Sequence, residues 1–279
     1  LKYYEKAIEL KPDYADAYLN LGIAFKSLKK YQQAINYFMK SIDIQPENIR
    51  SYNVLGRIFK ELGEYNKSIY FYEKSLKINP NSIITFNNIL ELFTSIQFSN
   101  LTSKNSKSIK NLIIFLLNKN SINHSQIFHN AKLLLYVDIN QQEIEKLINS
   151  ESLLLNNKII KKLLKEKFFQ LMLQKSFIRD RTLEILLSKI RKEILFLLKK
   201  ENQNILNEYY DFIISLAEQS FLNEYVFFQS EEEIKLIINL EKKLLNEIEK
   251  NEINLAILAS YKPLQKLENI KKKLINYTS

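Results

Sequence analysis

The chain contains two histidines, His124 and His129, and no cysteine. On a helix, their spacing places the two imidazole rings roughly 140° apart, which is too divergent for both to bind one metal ion. The sequence also lacks the Gly-x-Ser-x-Gly turn that would present a nucleophile to a histidine base. The sequence therefore predicts no metal site and no histidine-dependent catalytic triad.

A second group of polar residues that could contact a substrate is Asn223-Glu224-Tyr225. One interpretation is a contact segment for a substrate or for a catalytic domain. The alternative is a helix end, where the asparagine caps, the glutamate pairs with a neighbour and the tyrosine fills the core. Ser230 and the acids Glu231–Glu233 predict the start of the next helix, with the acids in solvent, because serine caps helices and acids complement the helix dipole.

The composition limits the class of protein. With 279 residues, three glycines and four prolines, the chain is long enough for two domains and favours nearly all-helical structure. Its net charge of +10 comes from basic residues interleaved with acids, without the clustered basic stripe of a nucleic-acid binder. The longest apolar run, Leu112–Leu117, is far below the ~20 residues that span a membrane. Without cysteines for disulfides, we expect a cytoplasmic protein that binds neither nucleic acid nor membrane.

Three prolines, Pro12, Pro46 and Pro80, lie 34 residues apart, and residues 15–48 and 49–82 align without a gap in this register. Small residues recur where the two helices of a pair must approach closely. Aromatic residues recur where the space between one helix pair and the next must be filled. Proline promotes the turn after the second helix, because it lacks an N–H and restricts the preceding residue. The equivalent residues are Tyr18/Tyr52, Gly22/Gly56, Phe25/Phe59, Ala34/Ser68, Phe38/Tyr72 and Ser41/Ser75. This register resembles the tetratricopeptide repeat (TPR) family, whose unit is a pair of antiparallel helices.

The same register predicts where the repeats end. Residues 1–14 match the second helix of an earlier repeat, so we expect the chain to be a fragment that begins inside a repeat. Residues 83–97 match only a first helix, and Ile114 occupies the position of the next expected proline. Gly63 follows the first helix of its repeat and is expected in the left-handed conformation. The resemblance thus assigns residues 1–97 to a TPR array with a degenerate last helix.

From residue 98 the 34-residue period is lost, but helical periodicity continues. The wide apolar face of Thr182–Leu195 requires packing against other helices. We predict helices near residues 106–118, 124–136, 141–149, 156–175, 181–200, 203–220, 231–249 and 253–260, and a last one after Pro263. The sequence therefore predicts an all-α protein in which a TPR superhelix is followed by a second helical domain, residues 98–279.

Parts of this second domain are similar to the helical region of bacterial TPR-containing methyltransferases, which lies between their repeats and their catalytic domain. The similar segments are Asp180–Leu198, Leu216–Phe227, Glu231–Glu233 and Leu255–Leu264. The resemblance implies that an S-adenosylmethionine-dependent domain would follow. The three glycines all lie in the repeats, so no glycine-rich cofactor loop is present, and we expect this chain to bind no cofactor and to dock on a downstream catalytic domain.

The TPR resemblance also implies a peptide-binding groove on the concave face, formed by the first helices of the repeats. The candidate groove residues are Asn20, Lys26, Arg50, Asn53, Arg57, Lys60, Asn87 and Asn88. Asn20 and Asn88 occupy a position where an amide can hydrogen-bond the backbone of an extended peptide, although Val54 interrupts that ladder. The basic residues favour an acidic ligand or a C-terminal carboxylate. Leu19 and Ile23 do not match the dicarboxylate clamp of chaperone-binding TPR proteins.

These observations predict a protein- or peptide-binding module that is not an enzyme by itself. One alternative is that this region completes the active site of a methyl or glycosyl transferase. A second alternative is a freestanding scaffold, and the groove positions are then plain solvated surface. A strand and a glycine-rich loop after Ser279 would favour methyl transfer.

Overall fold

The computed structural model describes residues 1–96, 103–119, 122, 124–150, 153–200, 203–224, 229–247 and 252–263. These residues are arranged in sixteen α-helices without a β-strand, and the structure is 81% helical, so the expected all-α, TPR-type fold is confirmed. It divides into two compact units, Leu1–Leu112 and Ile113–Ser279. The boundary predicted at residues 97 and 98 lies outside the described residues. None of the described helices is long and apolar enough to cross a membrane.

The first unit is built from pairs of helices that follow the 34-residue period. Its helices are α1 (Lys2–Leu10), α2 (Ala15–Ser27), α3 (Tyr31–Ile44), α4 (Ile49–Glu61), α5 (Tyr65–Ile78), α6 (Ile83–Ser95) and the beginning of α7 (Ser103–Leu117). Helix α2 packs on α3, α4 packs on α5, and each pair packs on the next helix along the chain. Asn48 and Ser82 cap α4 and α6, because their side chains accept hydrogen bonds from the backbone N–H groups of Ser51 and Thr85.

The small residues of the repeat permit a close approach of the two helices in each pair. A Cβ atom at Gly56 would lie 2.3 Å from the Tyr72 ring, and one at Gly22 would lie 2.9 Å from the Phe38 ring. Ser68 replaces the alanine of the first repeat, and its hydroxyl donates to the Gly56 carbonyl at 2.7 Å. Both helix pairs therefore depend on a glycine beneath an aromatic ring.

The turns within the repeats need a left-handed residue. Gly63 has a φ angle of 73°, as predicted, and the equivalent residue of the first repeat, Lys29, has a φ angle of 58°. A side chain is disfavoured in this conformation, whereas glycine adopts it without a steric penalty. The second repeat thus has the better residue for the same turn.

The second unit consists of the remaining described helices of the chain. Its elements are the rest of α7, α8 (His124–Asp138), α9 (Gln141–Asn149), a 3-10 turn (Leu154–Asn156), α10 (Lys158–Lys165), α11 (Lys167–Lys175), α12 (Arg181–Lys199), α13 (Gln203–Glu208), α14 (Tyr210–Leu222), α15 (Glu231–Glu247) and α16 (Glu252–Ala259). Helix α11 packs on α8 and α14, and all of Phe168–Leu173 is buried within it. Helix α12 packs on α9, α13, α15 and α16.

Two predicted helices are interrupted in the structure. The helix predicted over residues 156–175 breaks at Glu166, whose backbone is extended, and the Gln170 side chain donates to the Leu164 carbonyl at 2.8 Å. This break lets the chain pass from the amphipathic α10 to the buried α11. The helix predicted over residues 203–220 breaks at Tyr209, between α13 and α14. The helix predicted after Pro263 lies outside the described residues.

Candidate peptide-binding surface

The first helices of successive repeats are joined by ion pairs. Lys26 on α2 pairs with Glu61 on α4 at 3.1 Å, and Lys60 on α4 pairs with Glu91 on α6 at 2.9 Å. We call the surface formed by α2, α4 and α6 the first-helix surface. Because both lysines already face a carboxylate, they contribute less positive charge to a ligand than the sequence suggested.

Both carboxylates of these pairs are held in their charged form. Partial burial acts to raise the pKa of Glu61, but the hydrogen bonds from Lys26 and Tyr31 and the charge of Arg57 outweigh it, so that the pKa is lowered. The ion pair with Lys60 is the main cause that lowers the pKa of Glu91. Ionised partners at neutral pH keep the three helices linked by opposite charges.

Two arginines on this surface remain open to a ligand. Arg50 and Arg57 are exposed on α4, and neither forms an ion pair with a described residue. Arg57 lies in the field of Glu61 and Glu91, whose pKa values it helps to lower. Since each glutamate is matched by its own lysine, the group formed by the two ion pairs and Arg57 has a net positive charge.

Asn53, a predicted groove residue, is instead the centre of a buried polar network. Its side chain is only 5% exposed. Its amide nitrogen donates to the hydroxyls of Ser75 and Thr85, both at 3.0 Å, and to the Ile49 carbonyl at 3.2 Å. Its amide oxygen accepts from Asn88 at 3.0 Å. Asn53 thereby ties α4 to both α5 and α6 and has no donor left for a ligand.

The other predicted asparagines differ from one another in exposure. Asn88 is buried and committed to Asn53 through its amide nitrogen, whereas Asn87 is exposed beside it. Asn20 is half-buried on α2, and its side chain forms no hydrogen bond with a described residue. Asn20 and Asn87 are therefore the predicted asparagines with unused hydrogen-bonding groups on the first-helix surface.

Two residues of the predicted contact segment, Asn223 and Glu224, are described at the end of α14. Asn223 is buried at the C-terminal cap, and its amide is hydrogen-bonded to that of Gln219 at 2.6 Å. Glu224 is exposed and has a left-handed backbone with a φ angle of 52°. Tyr225 lies outside the described residues. Asn223 therefore lies at a helix end, which is the position that the second interpretation of the sequence gave it.

The two histidines lie on α8 and differ in their exposure to solvent. His124 is half-buried with Nε2 3.0 Å from the Lys119 carbonyl oxygen, and His129 is exposed. Across the part of the chain that the structure describes, no group of three or more His, Asp or Glu side chains is arranged to hold a metal ion.

A buried charged cluster in the second unit was missed by the sequence interpretation. Glu233 was expected to be solvated, which is wrong: it is 3% exposed and accepts a hydrogen bond from the Tyr261 hydroxyl at 3.0 Å. The guanidinium of Arg191 lies 4.2 Å from the centre of the Tyr261 ring, and Arg191 is 1% exposed. The sequence gives no signal for this cluster, because Arg191 and Glu233 lie in helices that look amphipathic.

The fold and the first-helix surface place the first unit among helix-pair repeat proteins, a class that binds other proteins. Residues 15–48 and 49–82 each match the family model of the tetratricopeptide repeat. Residues 15–82 therefore carry two tetratricopeptide repeats, and these support a protein-interaction role for this part of the chain in general terms. No curated protein matches the chain. The resemblance to bacterial methyltransferases receives no support from these comparisons.

Proposed function

We propose that the first-helix surface binds an acidic peptide segment or a C-terminal carboxylate. The observation that carries this proposal is the exposed guanidinium of Arg57, which lies between two ion pairs. Within each pair the lysine and the glutamate neutralise one another, so the charge of Arg57 is left over. A carboxylate that meets a guanidinium can form two parallel hydrogen bonds, and this gives Arg57 a geometric preference for acidic ligands. Asn20 and Asn87 offer amides that can donate to and accept from a peptide backbone.

Arg57 sits near the middle of the surface, with Lys26 and Glu61 towards α2 and Lys60 and Glu91 towards α6. A ligand carboxylate can bind Arg57 without breaking either ion pair. Arg50 lies about two turns away on the same helix and extends the positive charge along α4. The proposal therefore requires a ligand with at least one carboxylate and an extended backbone next to it.

Replacing Arg57 and Asn20 together with alanine is expected to weaken binding of such a ligand about ten- to a hundredfold, because a hydrogen bond to a charged group contributes about 1.5–3 kcal/mol. The measurement is fluorescence anisotropy with labelled acidic peptides, selected from a synthetic library and compared with their C-terminally amidated forms. Binding of the wild-type chain should also weaken as the salt concentration rises.

Lys40→Ala is the matched control, because Lys40 is an exposed cation on α3, the second helix of its repeat. It removes one positive charge away from the first-helix surface and should leave the affinity unchanged. Equal losses from Lys40→Ala and Arg57→Ala would mean that only overall charge attracts the peptide. Unchanged binding by the double variant would rule out the first-helix surface as the site.

We further propose that the second unit is the accessory part of a larger methyltransferase-type protein. The support is that Arg191, Glu233 and Tyr261, which lie in three of the four segments that resemble that family, meet in one buried cluster. The chain by itself is then expected to give no heat of binding with S-adenosylmethionine in calorimetry. Measurable binding would contradict the accessory role and favour an active transferase. A gene that encodes no catalytic domain after Ser279 would favour a freestanding scaffold.

A further inference from the structure

The second unit contains an open cavity of about 700 Å³, lined by residues of α9, the 3-10 turn, α10, α12 and α13. This volume lies within the range of small-molecule binding sites. The apolar part of its wall comes from Leu153, Leu154, Phe196, Leu197 and Ile205. The cavity lies entirely within one unit and is separate from the first-helix surface.

Three charged residues of the cavity wall have a partner that compensates their charge or accepts their hydrogen bond. Glu193 accepts hydrogen bonds from the backbone N–H groups of Leu154 and Leu155 at 2.8 and 3.0 Å, so its charge is compensated. Glu208 pairs with Lys165, and Lys189 donates to the Ile148 carbonyl.

Three further lysines in the same wall form no ion pair with a described residue. They are Lys161, Lys192 and Lys200. A partly apolar cavity bordered by three ammonium groups that form no ion pair attracts an anion that also has an apolar body.

Tyr209 provides a second, independent sign of a ligand. It lines the cavity at the break between α13 and α14, is only 2% exposed, and has no hydrogen-bond partner for its hydroxyl among the described residues. A buried hydroxyl without a partner is destabilising, so such groups call for an explanation. Burial, followed by the charge of Glu208, raises the pKa of Tyr209, which keeps the hydroxyl protonated and able to donate.

Two lysines interact with Glu208, the residue before Tyr209. Glu208 is next to Tyr209 in sequence, and its pKa is lowered mainly by Lys165 and also by the nearby charge of Lys161. The ammonium of Lys165 lies 5.9 Å from the centre of the Tyr209 ring. An acceptor group that reaches the Tyr209 hydroxyl therefore enters a part of the wall where the negative charge of Glu208 is balanced by two lysines.

We propose that this cavity binds a small amphipathic anion, a single acyl or alkyl chain with a carboxylate or phosphate head. The chain packs against Leu154, Phe196 and Leu197. The head accepts a hydrogen bond from the Tyr209 hydroxyl and pairs with Lys161, while Lys192 and Lys200 add positive charge at the wall. This ligand satisfies the buried hydroxyl and the unpaired lysines together.

The test uses the full chain and three probes with the same twelve-carbon chain: dodecanoate, dodecyl phosphate and the uncharged dodecanol, all below the concentrations at which they form micelles. Binding is measured by calorimetry and by the rise in melting temperature that a ligand of the native state produces. At least one anion should bind at least tenfold more tightly than the alcohol. Which anion binds more tightly identifies the head group, and either preference supports the proposal.

Two variants distinguish binding in the cavity from non-specific attraction of an anion to the positively charged chain. Tyr209→Phe should weaken anion binding about three- to tenfold and should leave the ligand-free chain as stable or more stable, because it removes an unpartnered hydroxyl. Lys161→Gln should weaken binding similarly. Lys162→Gln is the matched control, because Lys162 is exposed on the same helix and does not line the cavity. The proposal is wrong if no probe binds, if the alcohol binds as tightly as the anions, or if Lys162→Gln costs as much as Lys161→Gln.

Discussion

Glu233→Ala is expected to lower the free energy of unfolding of the second unit by about 3–5 kcal/mol, the usual cost when a buried charge loses the opposite charge that stabilises it. The Glu233 carboxylate accepts hydrogen bonds from the Tyr261 hydroxyl at 3.0 Å and from the backbone N–H and hydroxyl of Ser230, both at 2.8 Å. Arg191 packs on the other side of Tyr261. Alanine would remove the buried carboxylate that stabilises the charge of Arg191, and it would remove the side-chain half of the capping interaction between Glu233 and Ser230.

The Arg191 side chain is buried away from water. Burial is the main cause that lowers its pKa, while Tyr261 and Glu233 act in the opposite direction. The guanidinium also donates to the Ser260 carbonyl at 3.4 Å. Arg191 on α12, Glu233 on α15 and Tyr261 after α16 thus hold three separate parts of the chain together. Denaturant unfolding followed by circular dichroism measures the effect.

Glu232→Ala is the control for this prediction, because Glu232 is exposed on the same turn of α15, 3.7 Å from Lys199. It should change the stability by about 0.5 kcal/mol or less. A second variant replaces the whole cluster, with Arg191→Met, Glu233→Gln and Tyr261→Phe together. It should recover much of the loss, because it removes both buried charges together and leaves neither one unpaired. Equal effects of Glu232→Ala and Glu233→Ala would refute the structural role of the cluster.

Asn53→Ala is expected to lower the stability of the first unit by about 2–3 kcal/mol. The substitution removes the shared partner of Ser75, Thr85 and Asn88, and it leaves the buried Asn88 amide without its acceptor, for which a cost of about 1–3 kcal/mol is typical. The small cavity that remains adds to this loss. Ser75 and Thr85 stay hydrogen-bonded to each other at 2.8 Å, which limits the effect.

Asn87→Ala is the matched control, since Asn87 is exposed one residue away from the buried Asn88 on α6. It should change the free energy of unfolding by about 0.5 kcal/mol or less and affect only ligand binding. A stability loss from Asn53→Ala no larger than that from Asn87→Ala would show that the buried network is dispensable. The two variants thus separate the residues that hold the stack together from those that can face a peptide.

The sequence alone determined the repeats and their local geometry. The proline spacing and the alternation of small and aromatic residues predicted the helix pairs over 15–48 and 49–82, and the structure places Gly22 and Gly56 beneath aromatic rings as this pattern requires. The left-handed turn at Gly63 was also predictable. These features depend on residues close together in sequence, so a periodic pattern records them directly.

Only the tertiary structure decided which polar side chains are free. Asn53 and Arg57 occupy similar groove positions in the sequence, but Asn53 is buried by partners on α5 and α6 while Arg57 remains exposed. Glu232 and Glu233 are adjacent, yet one is exposed and the other is buried against Tyr261. Burial of a polar group depends on partners far away along the chain, and no local pattern contains that information.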